Sequence, residues 1–369
     1  MIRLGVDATA LLGPRTGVGQ FVAEVLTELA TQPEVGLTLF AVTWRGRRDL
    51  LAMAPPRALV IQRPLAARPL RWLWSKGLQR PAAEDWCGPL DVVHGPNFVV
   101  PPTRRAGRVV TVHDLTPVRF PHLCNRDTLA YPELVRRAAA KGAWIHTPTE
   151  HIAAEVRDWL GQSERVIAIA NGVRSRAGSA LRGHQLAGID RYILALGTAE
   201  PRKDLPTLVR AFDQFAADIA EVRLVIAGPD GWGANELTDS LNRATHRDRI
   251  VRLGWVGDDD RAALLAGATV FAYPSLYEGF GLPPLEAMSA GTAVVTSDAA
   301  ALVEVTGDAA LHVAVGDHDA LADALARVVS DDEVRQGLVS AGSARVARFT
   351  WSATAAGLME LYRHAAASA

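Results

Sequence analysis

Cysteine is nearly missing from this chain of 369 residues: only Cys87 and Cys124 occur. Two thiols cannot build a disulfide scaffold, so a reducing compartment is expected. An excess of either charge is missing as well. The 39 Lys and Arg residues stand against 40 Asp and Glu, a formal net charge of −1. There is no global basic excess of the kind that nucleic-acid binding draws on, and no nucleic-acid partner is expected. Long apolar runs are lacking too. A bilayer-spanning helix needs ~20 apolar residues, whereas the longest uncharged run is Ala262–Tyr277, and it carries Pro274. The N-terminus reaches Asp7 after one short strand-like run, without the apolar core of a signal peptide. The expected location is cytoplasmic. Lysine is scarce: Lys76, Lys141 and Lys203 are the only three. There is no Walker A loop and no G-x-S-x-G. His94, His122, His146 and His151 show no zinc spacing with the two cysteines.

What remains is an ordinary globular composition, 49% hydrophobic and 21% charged, with length enough for about two domains. In the first half, short apolar runs at Ile2–Val6, Leu37–Val42, 91–94, 108–113 and 143–146 predict strands. After the first of them comes a Gly-rich loop, Gly13 to Gly19, and then a helix with Phe21, Val22, Val25, Leu26 and Leu29 on one face. From Asn171 to Gly188 the pattern lapses among Gly172, Gly178, Gly183 and Gly188, which reads as a linker. Strands then resume at Tyr192–Leu196, Arg223–Ala227, 250–253, 269–272 and 293–296, with helices at 205–215, 236–245 and 260–266 between them. From Asp319 on, only helix is expected. Continuous apolar strands alternating with helices mean parallel sheets covered on both faces. Two doubly wound α/β domains in tandem fit, with ligands beyond the carboxyl ends of the strands.

The strongest motif is the string from Glu278 through Gly279, Phe280, Gly281, Leu282, Pro283, Pro284 and Leu285 to Glu286. The prolines suit the first turn of a helix, and glycines before a helix N-terminus make an anion site that favours phosphate. Glu278 in the loop and Glu286 in the first turn would bracket that site, one for sugar hydroxyls and one for a ribose diol. A second string, Gly197-Thr198-Ala199-Glu200-Pro201-Arg202-Lys203-Asp204, follows a strand. Arg202 and Lys203 would stabilise charge on a leaving diphosphate, or the string is a solvated loop with Asp204 as a helix N-cap. Gly17-Val18-Gly19 fails as a dinucleotide fingerprint because Val22 stands where glycine is needed. Two readings remain: a short turn near a phosphate, or a plain strand-to-helix turn. His113 would stand at a strand's carboxyl end and bond a sugar hydroxyl or the reacting centre. Asp258-Asp259-Asp260 offers a metal-binding spacing, but N-capping and solvated charge explain it better. Residues 50–83 contain no Asp or Glu, six basic residues, and Trp72 and Trp74. Two readings stay open: an anionic membrane surface as partner, or a Pro-rich excursion whose tryptophans pack on the domain.

Together these strings resemble the retaining glycosyltransferases of family four, the group 1 transferases. These have GT-B architecture, two doubly wound Rossmann-like domains facing an interdomain cleft. The similarity covers nearly the whole chain and is densest from Tyr192 to Asp308. Glu278 and Glu286 look like the family's E-x7-E motif. The resemblance implies an acceptor-side domain at 1–175, with a helix at about 351–369 packing back on it, and a nucleotide-sugar-binding domain at 176–350. It implies that Glu278 contacts the donor sugar and Glu286 the ribose. Gly197, Gly279, Phe280, Gly281 and Leu282 would present backbone to the donor. Arg202 and Lys203 would hold the diphosphate, with Gly17, Val18 and Gly19 near the phosphates and His113 near donor sugar and acceptor. Some members carry Arg directly after the glycine at 197; here Thr198 stands there, so the clamp rests on Arg202 and Lys203. The strings are similar to bacterial mannosyl- and rhamnosyltransferases. The implied reaction moves a hexose, first of all mannose from GDP-mannose, to a glycan or lipid-linked acceptor with retention. No metal or other cofactor is required, and the enzyme could sit as a peripheral protein at the inner membrane face. The alternatives are a nucleotide-sugar epimerase of the same architecture and a non-catalytic nucleotide-sugar-binding protein. An NAD-dependent oxidoreductase fails because Thr43-Trp44-Arg45 stands where an acid should end strand two.

Overall fold

Valine-, leucine- and isoleucine-rich runs bounded by glycine, proline or acids form two all-parallel sheets. The computed structural model describes residues 1–13, 17–124 and 127–369. The chain divides into two compact units, Met1–Gly172 with Trp351–Ala369, and Val173–Thr350.

In the first unit the strands are β1 (Ile2–Asp7), β2 (Val35–Phe40), β3 (Leu59–Ile61), β4 (Val92–Gly95), β5 (Gly107–Thr111), β6 (Trp144–Thr147) and β7 (Val166–Ala168). Their order in the sheet is β3-β2-β1-β4-β5-β6-β7. Val6 pairs with Leu39 on one side and His94 on the other. Helices α1 (Gly17–Leu29), α2 (Ala67–Ser75) and α3 (Tyr131–Ala140) belong to this unit. Phe21, Val22, Val25, Leu26 and Leu29 are all buried, so the expected apolar face of α1 is the one that packs.

In the second unit α4 (Ala180–Ala187) precedes β8 (Tyr192–Leu196). Then come α5 (Leu205–Asp218), β9 (Arg223–Ala227), β10 (Ile250–Gly254), α6 (Asp258–Gly267), β11 (Val270–Tyr273), α7 (Leu282–Ser289), β12 (Ala293–Ser297) and β13 (Leu311–Val313). The order is β10-β9-β8-β11-β12-β13. In each sheet the order reverses once, between β1 and β4 and between β8 and β11. Ligands of open parallel sheets bind at such a reversal.

The expected linker is in part a helix. Ser179 caps α4 by accepting from the Arg182 N–H, and α4 lies along α6. Two of its glycines, Gly178 and Gly183, serve contact rather than flexibility: a Cβ on Gly183 would stand 2.2 Å from the Ala263 carbonyl oxygen. Residues 50–83 are no excursion either, since they carry the edge strand β3 and the helix α2.

The last helix, α8 (Trp351–Ala367), returns to the first unit against α1, β4 and β5. A buried polar chain ties it there. Tyr362 Oη lies 2.8 Å from His94 Nδ1, and His94 Nε2 lies 2.8 Å from Thr111 Oγ1. Thr111 Oγ1 is 2.9 Å from His146 Nδ1, and His146 Nε2 is 2.9 Å from the Ile169 carbonyl oxygen. That carbonyl can only accept, so His146 Nε2 carries the proton. Burial pushes the His146 pKa down to about 4, so its Nδ1 accepts from the Thr111 hydroxyl. Thr111 then accepts from His94, and His94 accepts from Tyr362. The sequence reading weighed His94 and His146 only as zinc ligands.

Candidate active site

The carboxyl ends of β8 and β11 carry the two strongest motifs to one place. After β8 a short turn, Pro201–Lys203, ends at Asp204, whose backbone is left-handed at φ 48° and whose side chain makes no cap bond. After β11 the chain runs through Ser275 and Tyr277 to Glu278. The two loops are tied by the Leu276 N–H donating to the Arg202 carbonyl at 2.8 Å, and by Arg202 Nη1 donating to the Tyr277 carbonyl at 2.8 Å.

Glu278 is 7% exposed and sits between two cations. Arg202 Nη1 lies 2.7 Å from Oε2, and Lys203 Nζ lies 2.6 Å from Oε1. Burial alone would raise its carboxyl. The charges and hydrogen bonds of Arg202 and Lys203 overcome that and hold it at about 2. Burial lowers the Lys203 ammonium while Glu278 pulls it back up. Tyr273 donates to Glu278 at 3.0 Å and also receives Lys203 Nζ, which stands 4.6 Å from its ring centroid. Arg202 Nη2 reaches Glu200 Oε1 at 2.7 Å. Two cations and two carboxylates therefore form one neutral, half-buried network. The alternative of a solvated loop fails for Arg202 and Lys203, because their side chains are only 16% and 13% exposed.

Helix α7 begins at Leu282 behind Gly281, which holds φ at 97°. A Cβ there would be strained by the backbone and would meet Leu302 Cδ2 at 2.5 Å. Pro283 and Pro284 follow at once and have no N–H. The donors of this helix start are therefore the backbone of Gly279 to Leu282, not a full first turn. Phe280 buries its ring edge-on to Phe349, with centroids 5.7 Å apart, which leaves its main chain as the part that can meet a ligand. Glu286 falls on the second turn of α7, not the first, and pairs with Arg261 of α6. The acidic triplet occupies the first turn of α6, and its N-cap is Gly257 without a side-chain bond. Asp258 pairs with Arg176 at 2.8 Å and Asp260 with Arg182 at 3.0 Å. Among the described residues no group of three or more His, Cys, Asp or Glu is placed to hold a metal.

The remaining candidates lie in the first unit. Gly17, Val18 and Gly19 are the opening residues of α1 rather than a turn. Pro14, Arg15 and Thr16 of the expected loop lie outside the described residues. His113 lies two residues past β5 instead of ending it. Its Nε2 is 2.8 Å from the Pro96 carbonyl oxygen, so Nε2 donates. Burial lowers its pKa, which leaves a neutral ring whose Nδ1 is an acceptor. Tyr273, Glu200 and Arg261 were not singled out from sequence. Glu200 stood inside a quoted string, whereas Tyr273 and Arg261 had no local signal.

Two stretches of the chain match known families. Residues 181–345 match the family described as glycosyl transferases group 1, and residues 15–176 match glycosyltransferase family 4. The O-antigen chain mannosyltransferase B of Escherichia coli is 31% identical over 368 residues, covering 92% of this chain and 93% of that protein. A phosphatidyl-myo-inositol mannosyltransferase of Mycolicibacterium smegmatis is 38% identical over 176 residues, 47% of this chain and 45% of that protein. Among solved structures, Anabaena HepE in complex with UDP and glucose superposes with a TM-score of 0.74 at 17% identity, over 98% of this chain and 99% of that one.

Proposed function

The chain belongs to the group 1 glycosyltransferases, and from that premise we propose that it moves a hexose from a nucleotide diphosphate sugar to a hydroxyl of a glycan or glycolipid, keeping the anomeric configuration. The first choice of donor is GDP-mannose, supported by the mannosyltransferase names of its relatives.

The observation that carries this reading is the Glu278–Arg202–Lys203–Tyr273 network at the strand-order reversal. In the proposed reaction the acceptor oxygen bonds to the anomeric carbon, and the bond from that carbon to the diphosphate oxygen breaks. The acceptor proton passes to the leaving phosphate on the same face. Arg202 and Lys203 take up the charge that develops on the diphosphate, helped by the backbone of Gly197, Gly279, Phe280, Gly281 and Leu282. Glu278 holds the sugar and Glu286 the ribose. Gly17, Val18 and Gly19 lie on the phosphate side. His113 offers its Nδ1 lone pair to the incoming hydroxyl. Two fixed cations stand in for a metal, so transfer is expected to be metal-independent. The first unit rests on an anionic membrane surface through residues 50–83, as a peripheral protein on the cytoplasmic side.

The test is incubation of the whole protein with a panel of radiolabelled sugar nucleotides and polyprenyl or glycolipid acceptors, with and without excess EDTA. Label should move from one donor into an acceptor, and EDTA should leave the rate unchanged. No transfer from any donor sinks the reading. Loss of activity in EDTA restored by magnesium sinks metal independence.

A further inference from the structure

The first unit has its own cluster at the ends of β1, β4 and β5, and the roles given above use only one member of it. Asp7 ends β1. It is buried and accepts from the Thr9 N–H at 3.0 Å and from the Thr9 hydroxyl. Phe98, past the end of β4, holds a left-handed backbone with φ 60°, an unfavourable state for a side chain of that size. The strained backbone lets its ring stack on Tyr131 at 5.2 Å and meet His113 edge-on at 6.2 Å. Arg71 leans inward from α2 and stands 5.8 Å above the Tyr131 ring. His113, Phe98, Tyr131 and Arg71 are thus linked in series by ring contacts, with Asp7 close enough to feel the charge of Arg71.

Arg71 is the unexplained member. Its Nε is sealed from solvent without a hydrogen-bond partner. Among the described residues, no carboxylate lies within ion-pair distance of it. A structural arginine in this protein looks different. Arg249 gives four hydrogen bonds to the carbonyls of Ala216, Ile219 and Val222 at 2.7–3.1 Å. A sealed Nε–H without an acceptor is costly, and the planar fork of a guanidinium matches phosphate oxygens. The outward face of the same helix, by contrast, holds Arg68 and Trp72 in solvent.

We propose that Arg71 is the phosphate-binding residue of an acceptor pocket walled by Phe98 and Tyr131, so that the acceptor carries a phosphate monoester or diester on the side away from the hydroxyl facing His113. The word acceptor rests on the transferase reading. The phosphate site rests on this cluster alone.

The experiment is calorimetric binding to the whole protein, without donor, of two matched pairs. One is mannose 6-phosphate against mannose. The other is dioctanoyl phosphatidylglycerol, kept below its micellar concentration, against octyl mannoside. Wild type should bind at least one phosphate probe about tenfold tighter than its neutral partner. The pair that shows the preference identifies a sugar phosphate or a lipid headgroup as the source. Arg71→Met should erase the preference, and Arg71→Lys should keep part of it as a point charge. Thermal melting of Arg71→Met supplies the second readout. It should match or exceed wild type, because a sealed donor without an acceptor is removed. Equal binding within both pairs overturns the proposal. So does a preference that survives in Arg71→Met, or a melting point that drops while the preference stays. Because no sugar is transferred in this assay, a protein that binds phosphate but transfers nothing would refute the transferase reading and leave the phosphate site standing.

Discussion

Glu278 and Glu286 are eight positions apart, and their surroundings ask different things of them. Glu278 neutralises Arg202 and Lys203 directly. Glu278→Gln keeps the shape but releases both cations. Free nucleotide diphosphate should then bind tighter than to wild type, because the anion no longer competes with a carboxylate. At the same time kcat should fall by ~10²–10³-fold, the scale for losing one electrostatic stabiliser of the transition state. Glu286 pairs with Arg261 and is assigned far from the bond that breaks. Glu286→Ala should raise KM with little change in kcat, as expected when ground state and transition state lose the same interaction. Steady-state kinetics with nucleotide affinity by calorimetry checks both. Identical splits between kcat and KM in the two variants would refute the roles, as would weaker nucleotide binding in Glu278→Gln. The residues of this site were legible where they sit together in one string, as Arg202 with Lys203 and Glu278 with Gly279 do. Tyr273 and Arg261 were not, because the first becomes a partner only when a strand end meets a loop, and the second reaches Glu286 from a different helix.

At the scale of elements, β8 and β9 were legible to the residue because each is a buried apolar run with clear breaks, β9 after its half-buried first residue, Arg223. The strands missed from sequence, β3, β7 and β13, have three residues each and all lie at sheet edges, where burial on one side leaves too short a pattern to see. Helix α4 was hidden by its own glycine, which reads as flexibility but serves close packing on α6. Helix α2 places the two tryptophans differently. Trp74 is 4% exposed and packs inward, while Trp72 is 60% exposed. Arg68, Trp72 and Lys76 fall at four-residue intervals and all three are exposed, a basic face with one interfacial aromatic residue. On the membrane reading, cosedimentation with anionic vesicles should weaken as salt is added. It should fall several-fold in Trp72→Ala with Arg68→Ala, without a change in melting temperature. No binding of wild type at low salt, or undiminished binding of the double variant, would end that reading.

For the molecule as a whole, the chain's last helix is fastened to its first sheet through groups that must stay neutral. Burial holds His94 well below its usual value and His146 at about 4, against ~6.5 in an unfolded chain. Between those values the unfolded state binds protons that the folded state refuses, so stability must fall as pH drops below ~6.5. Each such histidine contributes a slope of up to ~1.4 kcal/mol per pH unit, and the lowered His113 and His312 act in the same direction. Glu278, held at about 2, adds to the loss only below the ordinary carboxylate range near pH 4.5. The raised Asp7 and Asp204 oppose the loss, since they bind protons more readily when folded. From pH 6.5 down to 5 the histidines set the direction of the change. Urea unfolding followed by tryptophan fluorescence should show the midpoint nearly level from pH 7.5 to about 6.5 and falling from there to pH 5. Tyr362→Phe removes the hydroxyl that donates to His94 Nδ1 and leaves a buried acceptor unsatisfied. It should cost ~1–3 kcal/mol at pH 7.5. The protonation penalty should also shrink at His94, because a vacated Nδ1 no longer has a donor that a new proton must displace. The pH slope of Tyr362→Phe should accordingly be shallower than that of wild type. A wild-type midpoint that does not move between pH 7.5 and 5 would mean that the chain tolerates charge, and that α8 is held by packing alone.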